Sequence, residues 1–525
     1  MSNLNPEFVR NSLESKPSNK AALNLIEAFQ QDEAKRGGGG AFVTPYAYWQ
    51  NNLDEGLKQR LLEYVDIVIE AVPDAQTYAA CLGIQMRLYQ RDWSLLSDVE
   101  SAGGREDLVH WPSCLLLEAT TILRAAVNWP ALKKFTRQAL LYFPRDHTDA
   151  GVITDCFVLA AYRLLGRAFN KGNDKAGAVQ AFAADVDRAT EYLGDDIKNS
   201  HFYRSLLAKC NGDYVASVNH VFAAQKAKGK VIILFQQLEN FVDTETIGNK
   251  PSPELREKFE AVKLQFNHKA NEDETTLLLS MDERYFTLFC GKYLESYGHW
   301  APAGLVHLHC VNFSPSQEAL DAIERSASCR INYTVDMQPA IIDSKNLYAG
   351  YCAGARYMYL PLYFKEYKNI VITDVDGLLV APPGGLLQHA KNAIVLDTDL
   401  LKTGPPAHPG YSRTTGFLWE AIKAGTFAIS RTDSNQTFAT LVANYLQIQV
   451  RRCADHGHKM FYTDQIGLLL AYMALQDKCS FVGSDDIFRQ QGDWSFAAKG
   501  DAKQAFQKAF NYKNNGAPRV DISQP

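Results

Sequence analysis

The first half of the chain has apolar residues at three- and four-residue intervals, the spacing of one buried face on an α-helix. This spacing recurs in segments that begin near residues 81, 115, 155, 179 and 203. Short polar or Pro-containing breaks separate the segments, at 91–93, 128–130, 171–174 and 211–214. The pattern therefore predicts an all-α domain over residues 45–245, built from successive helices.

The breaks between these helices recur at an irregular interval that is close to the length of a known helical repeat. Trp93 and Trp129 are 36 residues apart, and Asp174 and Asp213 are 39 apart. Tetratricopeptide repeats have a period of about 34 residues. We therefore expect a tetratricopeptide-like helical repeat, whose concave face would bind a protein or peptide. A helical cap that packs on the second half and binds nothing is the alternative.

From residue 275 the pattern changes to short apolar runs separated by helical segments. The runs are typical of β-strands and lie at 275–282, 305–312, 330–336, 369–372, 393–397, 425–431 and 480–483. Strands that alternate with helices favour an α/β domain with a largely parallel sheet, here over residues 275–511. Residues 246–274 mix Gly, Pro and charge and are interpreted as a linker. Residues 1–44 and 512–525 are expected to be a flexible N-terminal segment and tail.

Composition narrows the class of protein. Of the 525 residues, 46% are apolar and 22% charged, which excludes collagen-like and wholly disordered chains. The net charge is −5, whereas nucleic-acid binders usually have a basic excess, so no nucleic-acid partner is expected. None of the ten cysteines forms a CxxC pair, which favours free thiols in a reducing compartment. With neither a signal peptide nor an apolar run of about 18 residues, we expect a cytoplasmic protein without a membrane span.

The strongest candidate chemistry follows the apolar strand at 369–372. Asp374 and Asp376 come directly after it, and in an extended segment residues i and i+2 point the same way. Ligands of open α/β sheets collect beyond the carboxyl ends of strands. Two adjacent carboxylates repel each other unless a cation lies between them, and oxygen ligands suit Mg²⁺ or Mn²⁺. Both residues are therefore predicted metal ligands, with two solvated acids at a turn as the alternative.

The segment ARYMYLPLYFKEYKNIVITDVDGLLV resembles the DxD region of GT-A glycosyltransferases, most closely the glycogenin-like retaining family (family 8). In that family an arginine precedes a short helix, a proline and the DxD strand, and Arg356, Pro361 and Asp374/Asp376 fall on those positions. Three further segments, TTLLLSMDERYF, KAGTFAISR and KMFYTDQIGLLL, resemble other motifs of the family in the same order. The resemblance covers roughly residues 275–500.

The resemblance implies a Rossmann-like GT-A fold that transfers a hexose from a nucleotide-sugar, with a UDP-sugar as the expected donor and retention of anomeric configuration. It places Asp464 and Gln465 beside the donor sugar as catalytic residues. It implies that the nucleotide of the donor is bound by Asp282, Tyr285, Arg356 and Asp374. It also implies that the metal ion is bound by Asp374 and Asp376.

The C-terminal segment GDWSFAAKGD departs from the family pattern. The family takes its third metal ligand from a His in an H-x-x-G-x-x-K-P-W motif, and this segment has no His but keeps Lys499-Gly500. Lys499 would take the phosphate-contacting and catalytic lysine role. Asp493 is one candidate for the third ligand, and Trp494-Ser495, which resembles the terminal segment of clostridial-type glucosylating toxins, is another.

Two other functions are consistent with the sequence. DVDGLL also resembles the first motif of haloacid-dehalogenase-like phosphatases, in which Asp374 would be the nucleophile and Asp376 the acid/base. The later phosphatase motifs would then draw on Ser430, Thr432, Lys459, Asp485 and Asp486. Against this, Leu378 replaces the motif's Thr, and three strand-like runs precede Asp374. The third possibility is a catalytically inactive interaction protein.

Two histidines share one face of the run 305–312. His307 and His309 are two residues apart, so they could pair on a metal ion. A metal site needs more than two ligands, and buried, hydrogen-bonded strand histidines are the favoured interpretation.

Overall fold

A computed structural model describes the chain as two compact units, one of residues 1–207 and 223–235 and the other of 208–222 and 236–525. The first unit is helical in its described part, and the second contains an eight-stranded mixed sheet. The described residues are 55–70, 113–125, 127–147, 149–170, 175–229, 235–248, 262–338, 345–379, 384–398, 400–401, 417–456, 460 and 462–484, with a few positions between 11 and 25.

The helices before residue 230 show the predicted burial of one face. Helix α3 buries Leu132, Phe135, Thr136, Ala139 and Leu140, the spacing of one helical stripe. Asn128 caps this helix by accepting a hydrogen bond from the backbone N–H of Ala131, as N-cap residues do. The helices are α1 (Glu55–Glu70), α2 (Ser113–Ala125), α3 (Trp129–Tyr142), α4 (Ala150–Asn170), α5 (Lys175–Leu193), α6 (Lys198–Cys210) and α7 (Tyr214–Lys226).

Helices α2, α3 and α4 each pack against the next helix in sequence. The helices predicted near residues 115, 155, 179 and 203 are confirmed, and non-helical residues lie between helices at 127–128 and 211–213. Trp129, Pro130 and Tyr214, which were predicted to lie in breaks, instead begin the helices that follow. A buried polar link adds to this packing, because Asp155 of α4 accepts hydrogen bonds from Asn199 at 2.8 Å and from the hydroxyl of Tyr203. The predicted helix near residue 81 and the breaks at 91–93 and 171–174 lie outside the described residues.

The sheet of the second unit has the strand order β1-β4-β3-β2-β5-β7-β6-β8. The pairs β2–β3, β3–β4, β2–β5 and β6–β8 are parallel, whereas β1–β4, β5–β7 and β6–β7 are antiparallel. The strands are β1 (Lys263–Gln265), β2 (Thr275–Asp282), β3 (Leu305–Val311), β4 (Arg330–Asp336), β5 (Asn369–Thr373), β6 (Ile394–Thr398), β7 (Ile422–Ser430) and β8 (Phe481–Gly483).

The sheet differs from the sequence prediction in two respects. It is mixed rather than largely parallel, because β7 runs against both of its neighbours. Strand β1 lies inside the predicted linker 246–274, where it pairs with β4 through Leu264 and Thr334. Residues 236–248 belong to the same compact unit as the sheet. There the carbonyl oxygen of Asn240 accepts a hydrogen bond from the hydroxyl of Tyr445 at 2.8 Å.

Helices cover both faces of the sheet. On one face, Leu277, Leu279 and Leu308 form a buried cluster with Tyr293 and Leu294 of α8. On the other face, α10 packs against β2 and β3, and α13 packs against β7. The helices are α8 (Gly291–Trp300), α9 (Gln317–Ala327), α10 (Lys345–Met358), α11 (Gly384–Ala390), α12 (Asp433–His456) and α13 (Thr463–Leu475). Shorter helical segments are Phe235–Asn240, Thr244–Gly248, Glu283–Tyr285, Phe286–Cys290, Leu360–Tyr363 and Leu418–Glu420.

Helix α10 approaches the segment before α13 very closely. A β-carbon on Gly350 would lie 1.8 Å from the carbonyl oxygen of Met460, so only glycine fits at this point. The packing fixes α10, which carries Arg356, relative to the start of α13, which carries Asp464. Among the described residues, no helix is long and apolar enough to cross a membrane.

Candidate functional site

Three acidic residues come at the carboxyl ends of the parallel strands. Asp282 is the last residue of β2, Asp336 is the last of β4, and Asp374 directly follows β5. Because β2, β3, β4 and β5 all run in one direction, these ends lie on one edge of the sheet. This is the edge at which open α/β sheets bind their ligands.

Arg356 is a buried arginine held by oxygen atoms from two strands. Its Nη2 donates to Oδ1 of Asp374 at 2.6 Å and to the carbonyl oxygen of Ala424 at 3.0 Å, and its Nη1 donates to the carbonyl oxygen of Thr373. Burial is the largest single effect and disfavours the charged form, but the charge and hydrogen bond of Asp374 together with Tyr357 and Asp464 raise the pKa of Arg356 above its usual value. The structure thus places a permanent cation against one of the two predicted metal ligands.

Asp374 and Asp376 follow β5 but differ in exposure. The side chain of Asp374 is 46% exposed, whereas Asp376 is buried. The chain turns at residues 375–376 instead of continuing as the extended segment that the sequence argument assumed. The i, i+2 rule for strands therefore does not describe how these two side chains are arranged.

The carboxylate oxygens at this edge of the sheet are suitable ligands for a divalent cation. Carboxylate oxygens are the ligands that Mg²⁺ and Mn²⁺ prefer, and Asp374 and Asp376 supply them two residues apart in the chain. Within the part of the chain that the structure describes, no three His, Cys, Asp or Glu side chains are grouped as a cation site. The predicted third ligands, Asp493 or the Trp494-Ser495 segment, lie outside that part. The chemistry of these two carboxylates therefore suits such an ion, and their joint coordination of it stays a prediction.

Asp464 and Gln465 occupy the first turn of α13. The residue before this helix, Tyr462, has a left-handed backbone with φ 60°, which costs a non-glycine residue roughly 1–2 kcal/mol. Burial raises the pKa of Asp464, the positive charge of Arg356 opposes this rise, and the negative charge of Asp374 adds to it. The predicted residues Asp464, Arg356 and Asp374 are therefore electrostatically coupled.

Two polar atoms at these residues have no partner within the described chain. Nε of Arg356 is a buried donor and Oε1 of Gln465 is a buried acceptor, and neither makes a hydrogen bond there. A buried polar atom without a partner costs about 1–3 kcal/mol. Such atoms suit a polar ligand, which would supply the missing hydrogen bonds.

Asp282 organises the turn that follows β2. Its Oδ1 accepts a hydrogen bond from the backbone N–H of Tyr285 at 2.9 Å, which caps the short helix Glu283–Tyr285. The ring of Tyr285 is 38% exposed and packs on Phe289 with 5.1 Å between ring centroids. On α10, burial and the Asp282 carboxylate raise the pKa of the Tyr348 phenol. One helix thus presents Tyr348 to Asp282 and Arg356 to Asp374.

His307 and His309 are fully buried and hydrogen-bonded, as the favoured interpretation predicted. Nδ1 of His309 lies 2.6 Å from the hydroxyl of Tyr363, and its Nε2 lies 3.0 Å from Oδ2 of Asp336. The same Oδ2 accepts a hydrogen bond from the hydroxyl of Tyr351 at 2.7 Å. His307 makes equivalent contacts to Tyr367 and Thr334, both at 2.7 Å. The network joins β3 and β4 to α10.

Several predicted residues are not brought to this edge. Ser430 pairs with Asn369 at the amino end of β5, while Thr426 pairs with Thr373 at the carboxyl end. Four residues of strand, at about 3.3 Å each, therefore separate Ser430 from the level of Thr373. Other predicted residues lie outside the described chain: Lys459, Asp485, Asp486 and Lys499.

Sequence analysis missed the part that β7 plays in holding Arg356. The carbonyl oxygen of Ala424 accepts hydrogen bonds from both Arg356 and the hydroxyl of Tyr357, the latter at 2.6 Å. The predicted strand began at residue 425, whereas β7 begins at Ile422 and includes Ala424. A backbone acceptor leaves no side-chain signal, so only the pair of small residues at 424–425 marked the position.

Comparison of the chain with protein-family models gave no match, and comparison with curated proteins gave none.

Proposed function

We propose that the chain is a metal-dependent glycosyltransferase that moves a hexose from a nucleotide-sugar, with a UDP-sugar as the expected donor, to an acceptor. The observation that carries the proposal is the contact of Arg356 with Asp374, together with their electrostatic coupling to Asp464. A fixed cation and several carboxylates at one edge suit a donor that has both an anionic and a polyhydroxyl part. The resemblance of four ordered motifs to GT-A enzymes supports the same function.

The residues divide between the two ends of the donor. Arg356 would offer its unpartnered Nε to a donor oxygen, since its other nitrogens are already bound to Asp374 and backbone carbonyls. Asp374 and Asp376 would hold a Mn²⁺ or Mg²⁺ ion, which neutralises charge on the departing diphosphate. Asp464 and Gln465 would bind hydroxyl groups of the sugar. In the reaction, the bond from the anomeric carbon to the diphosphate breaks, a bond to an acceptor oxygen forms, and the acceptor loses a proton.

The finer fold assignments belong to the same proposal. The sheet unit would be a GT-A-like, Rossmann-like domain, because its ligand edge is formed by parallel strands with helices on both faces. The helical unit would be a tetratricopeptide-like repeat that presents a protein or peptide acceptor. The successive packing of α2 to α5 supports this, since each helix of a solenoid contacts its neighbours in sequence.

The phosphatase alternative finds less support. It would need Ser430 or Thr432 near Asp374, and Ser430 lies at the opposite end of β5. Asp374, the required nucleophile, also has one oxygen bound to a buried guanidinium. A phosphatase would trap beryllofluoride on Asp374, whereas a transferase would not.

The decisive experiment compares release of free sugar from UDP- and GDP-sugars by the wild type, Asp374→Asn and Asp376→Asn. We expect both variants to lose at least about 100-fold in turnover, because the diphosphate loses its counter-ion, and EDTA to stop the wild type. Asp477→Asn, an exposed acid beyond the end of α13, is the matched control. Unchanged turnover in EDTA and in both variants contradicts the proposal, and an inert wild type favours the interaction protein.

A further inference from the structure

Gly425 lies on β7 directly against the carboxylate of Asp374. The backbone N–H of Asp374 donates to the carbonyl oxygen of Gly425 at 3.2 Å, one residue beyond the last β5–β7 pair, Thr373 and Thr426. A β-carbon on Gly425 would lie 2.9 Å from Oδ2 of Asp374, a distance that real β-carbons essentially never show. Any side chain at residue 425 would therefore displace this carboxylate.

The backbone of Gly425 does not itself require glycine. The described glycines with left-handed φ values are Gly194, Gly212 and Gly229, and Gly425 is not among them. Glycine also weakens the interior of a strand, because it loses more conformational freedom on folding than alanine does. Glycine at residue 425 is therefore explained by the space that the carboxylate of Asp374 occupies beside it.

We infer that Gly425 is a positioning residue for Asp374. Its missing side chain lets the carboxylate lie beside β7 with Oδ1 at 2.6 Å from Nη2 of Arg356. The guanidinium is also fixed by the carbonyl oxygens of Thr373 and Ala424, so the half-exposed carboxylate is the partner that can move. The inference rests on the proposed function, because it concerns Asp374 as a ligand of the divalent cation.

Gly425→Ala is therefore a substitution that moves one carboxylate without disrupting the sheet. The close atom is the end of a half-exposed side chain rather than backbone, so β7 need not deform. Gly291→Ala is the matched control, since no atom outside its chain neighbours and its own helix backbone lies within 4 Å of a β-carbon at that position.

The first measurement is the affinity of the full chain for Mn²⁺, alone and with UDP or GDP, by isothermal titration calorimetry. We expect Gly425→Ala to bind Mn²⁺ about 10- to 100-fold more weakly than the wild type, the range for residues that orient metal ligands. Gly291→Ala should match the wild type. If the wild type binds and Gly425→Ala binds within twofold of it, the inference is wrong although the proposed function stands. If the wild type binds no Mn²⁺ under any of these conditions, the proposed function fails, and this inference with it.

The second measurement is a thermal-unfolding cycle that tests the contact itself. Gly425→Ala should lower the Tm when Asp374 is present, because the methyl group meets its carboxylate. In an Asp374→Ala background the same substitution should leave the Tm unchanged or raise it. An equal loss in both backgrounds would show that Gly425 acts through something other than Asp374 and would overturn the inference. This cycle needs no cation, so it separates failure of the contact from failure of the proposed function.

Discussion

Nη2 of Arg356 lies 2.6 Å from Oδ1 of Asp374, yet the arginine side chain is 4% exposed and the aspartate side chain 46%. The pair therefore has one member fixed inside the protein and the other at its surface. A carboxylate in this position can contact a ligand without leaving its buried partner. A substitution at Arg356 can therefore remove the buried positive charge while the exposed carboxylate of Asp374 is kept, and a substitution at Asp374 can do the reverse.

Removal of the charge at Arg356 should affect activity more than a surface substitution does. Arg356→Met keeps much of the volume but leaves Asp374 without its cation, so we expect turnover of the donor to fall about 100- to 1,000-fold. Arg356→Lys should also be impaired, because one ammonium group cannot reproduce the planar fork that contacts three oxygens. Donor hydrolysis checks the prediction, with Arg325→Met on exposed α9 as the control. Full activity of Arg356→Lys would mean that charge alone suffices.

Asp464 should make stability depend on pH. Its pKa is raised in the folded protein, so the folded chain holds this proton more tightly than the unfolded chain does. The contribution of Asp464 to stability is therefore fully present below the unfolded pKa of about 3.9 and is lost as pH rises through the folded value.

Asn cannot titrate, so the Tm of Asp464→Asn should rise relative to that of the wild type between about pH 4 and neutrality. Each kcal/mol of free energy of unfolding corresponds to roughly 2–4 °C for a unit of this size. Calorimetry at several pH values tests this, with Asp477→Asn as the exposed control. A difference that stays constant across the range would contradict the prediction.

Loss of Asp336 should destabilise the sheet unit. Asp336→Ala removes the acceptor for His309 and for the hydroxyl of Tyr351, leaving both without that partner in a buried network. Leaving a buried hydrogen-bonding group without its partner costs about 1–3 kcal/mol for each group. Asp273→Ala, whose partner Lys368 lies 4.0 Å away at the surface, should cost less than about 1 kcal/mol. Denaturant unfolding of both variants measures the contrast, and equal losses would show that the network contributes little.

Lys499 gives a test of the C-terminal segment that the family resemblance assigned to the nucleotide. Lys499→Ala should lower kcat with a smaller effect on donor affinity, since charge on the diphosphate develops in the transition state. The expected loss is roughly 2–4 kcal/mol of transition-state stabilisation. Lys478→Ala, an exposed lysine, is the control. Steady-state kinetics within twofold of the wild type would place Lys499 outside the site.

The positions of strands could be predicted where a buried strand appears in the sequence as one continuous apolar run. The runs 275–282 and 330–336 coincide with β2 and β4, because both are bounded by polar residues and interior positions dominate them. Strand direction was not predictable in the same way. β7 has the same apolar content as a parallel strand, and its antiparallel pairing with β5 depends on where the preceding chain enters the sheet. Strand β1 was missed since its three residues, Lys263–Gln265, are mostly exposed.

For the candidate site, sequence analysis identified side chains but not the backbone groups that hold them in place. Asp374 was identified from its place after an apolar strand, whereas Arg356 and Asp464 came from the resemblance to GT-A enzymes. A hydrogen bond joins Arg356 to Asp374, and the charges of both shift the pKa of Asp464. The carbonyl oxygens of Thr373 and Ala424 could not be found this way, because every residue type carries a carbonyl group. The turn at residues 375–376 was not the favoured prediction, because the apolar strand at 369–372 was expected to continue as an extended segment through Asp376.

The groups that bind Arg356 lie far apart along the chain and are therefore synthesised at different times. Asp374 is translated 50 residues before Ala424 and 90 residues before Asp464. At a synthesis rate of about 5–20 residues per second, Ala424 is added roughly 3–10 s after Asp374. During this time Arg356 has its carboxylate partner but lacks the carbonyl oxygen from β7. Strand β5 can pair with β2 during this interval, but the edge of β5 that β7 later covers remains open. A nascent chain paused before residue 422 would therefore present an unpaired apolar strand edge, which is a target for chaperones and for self-association.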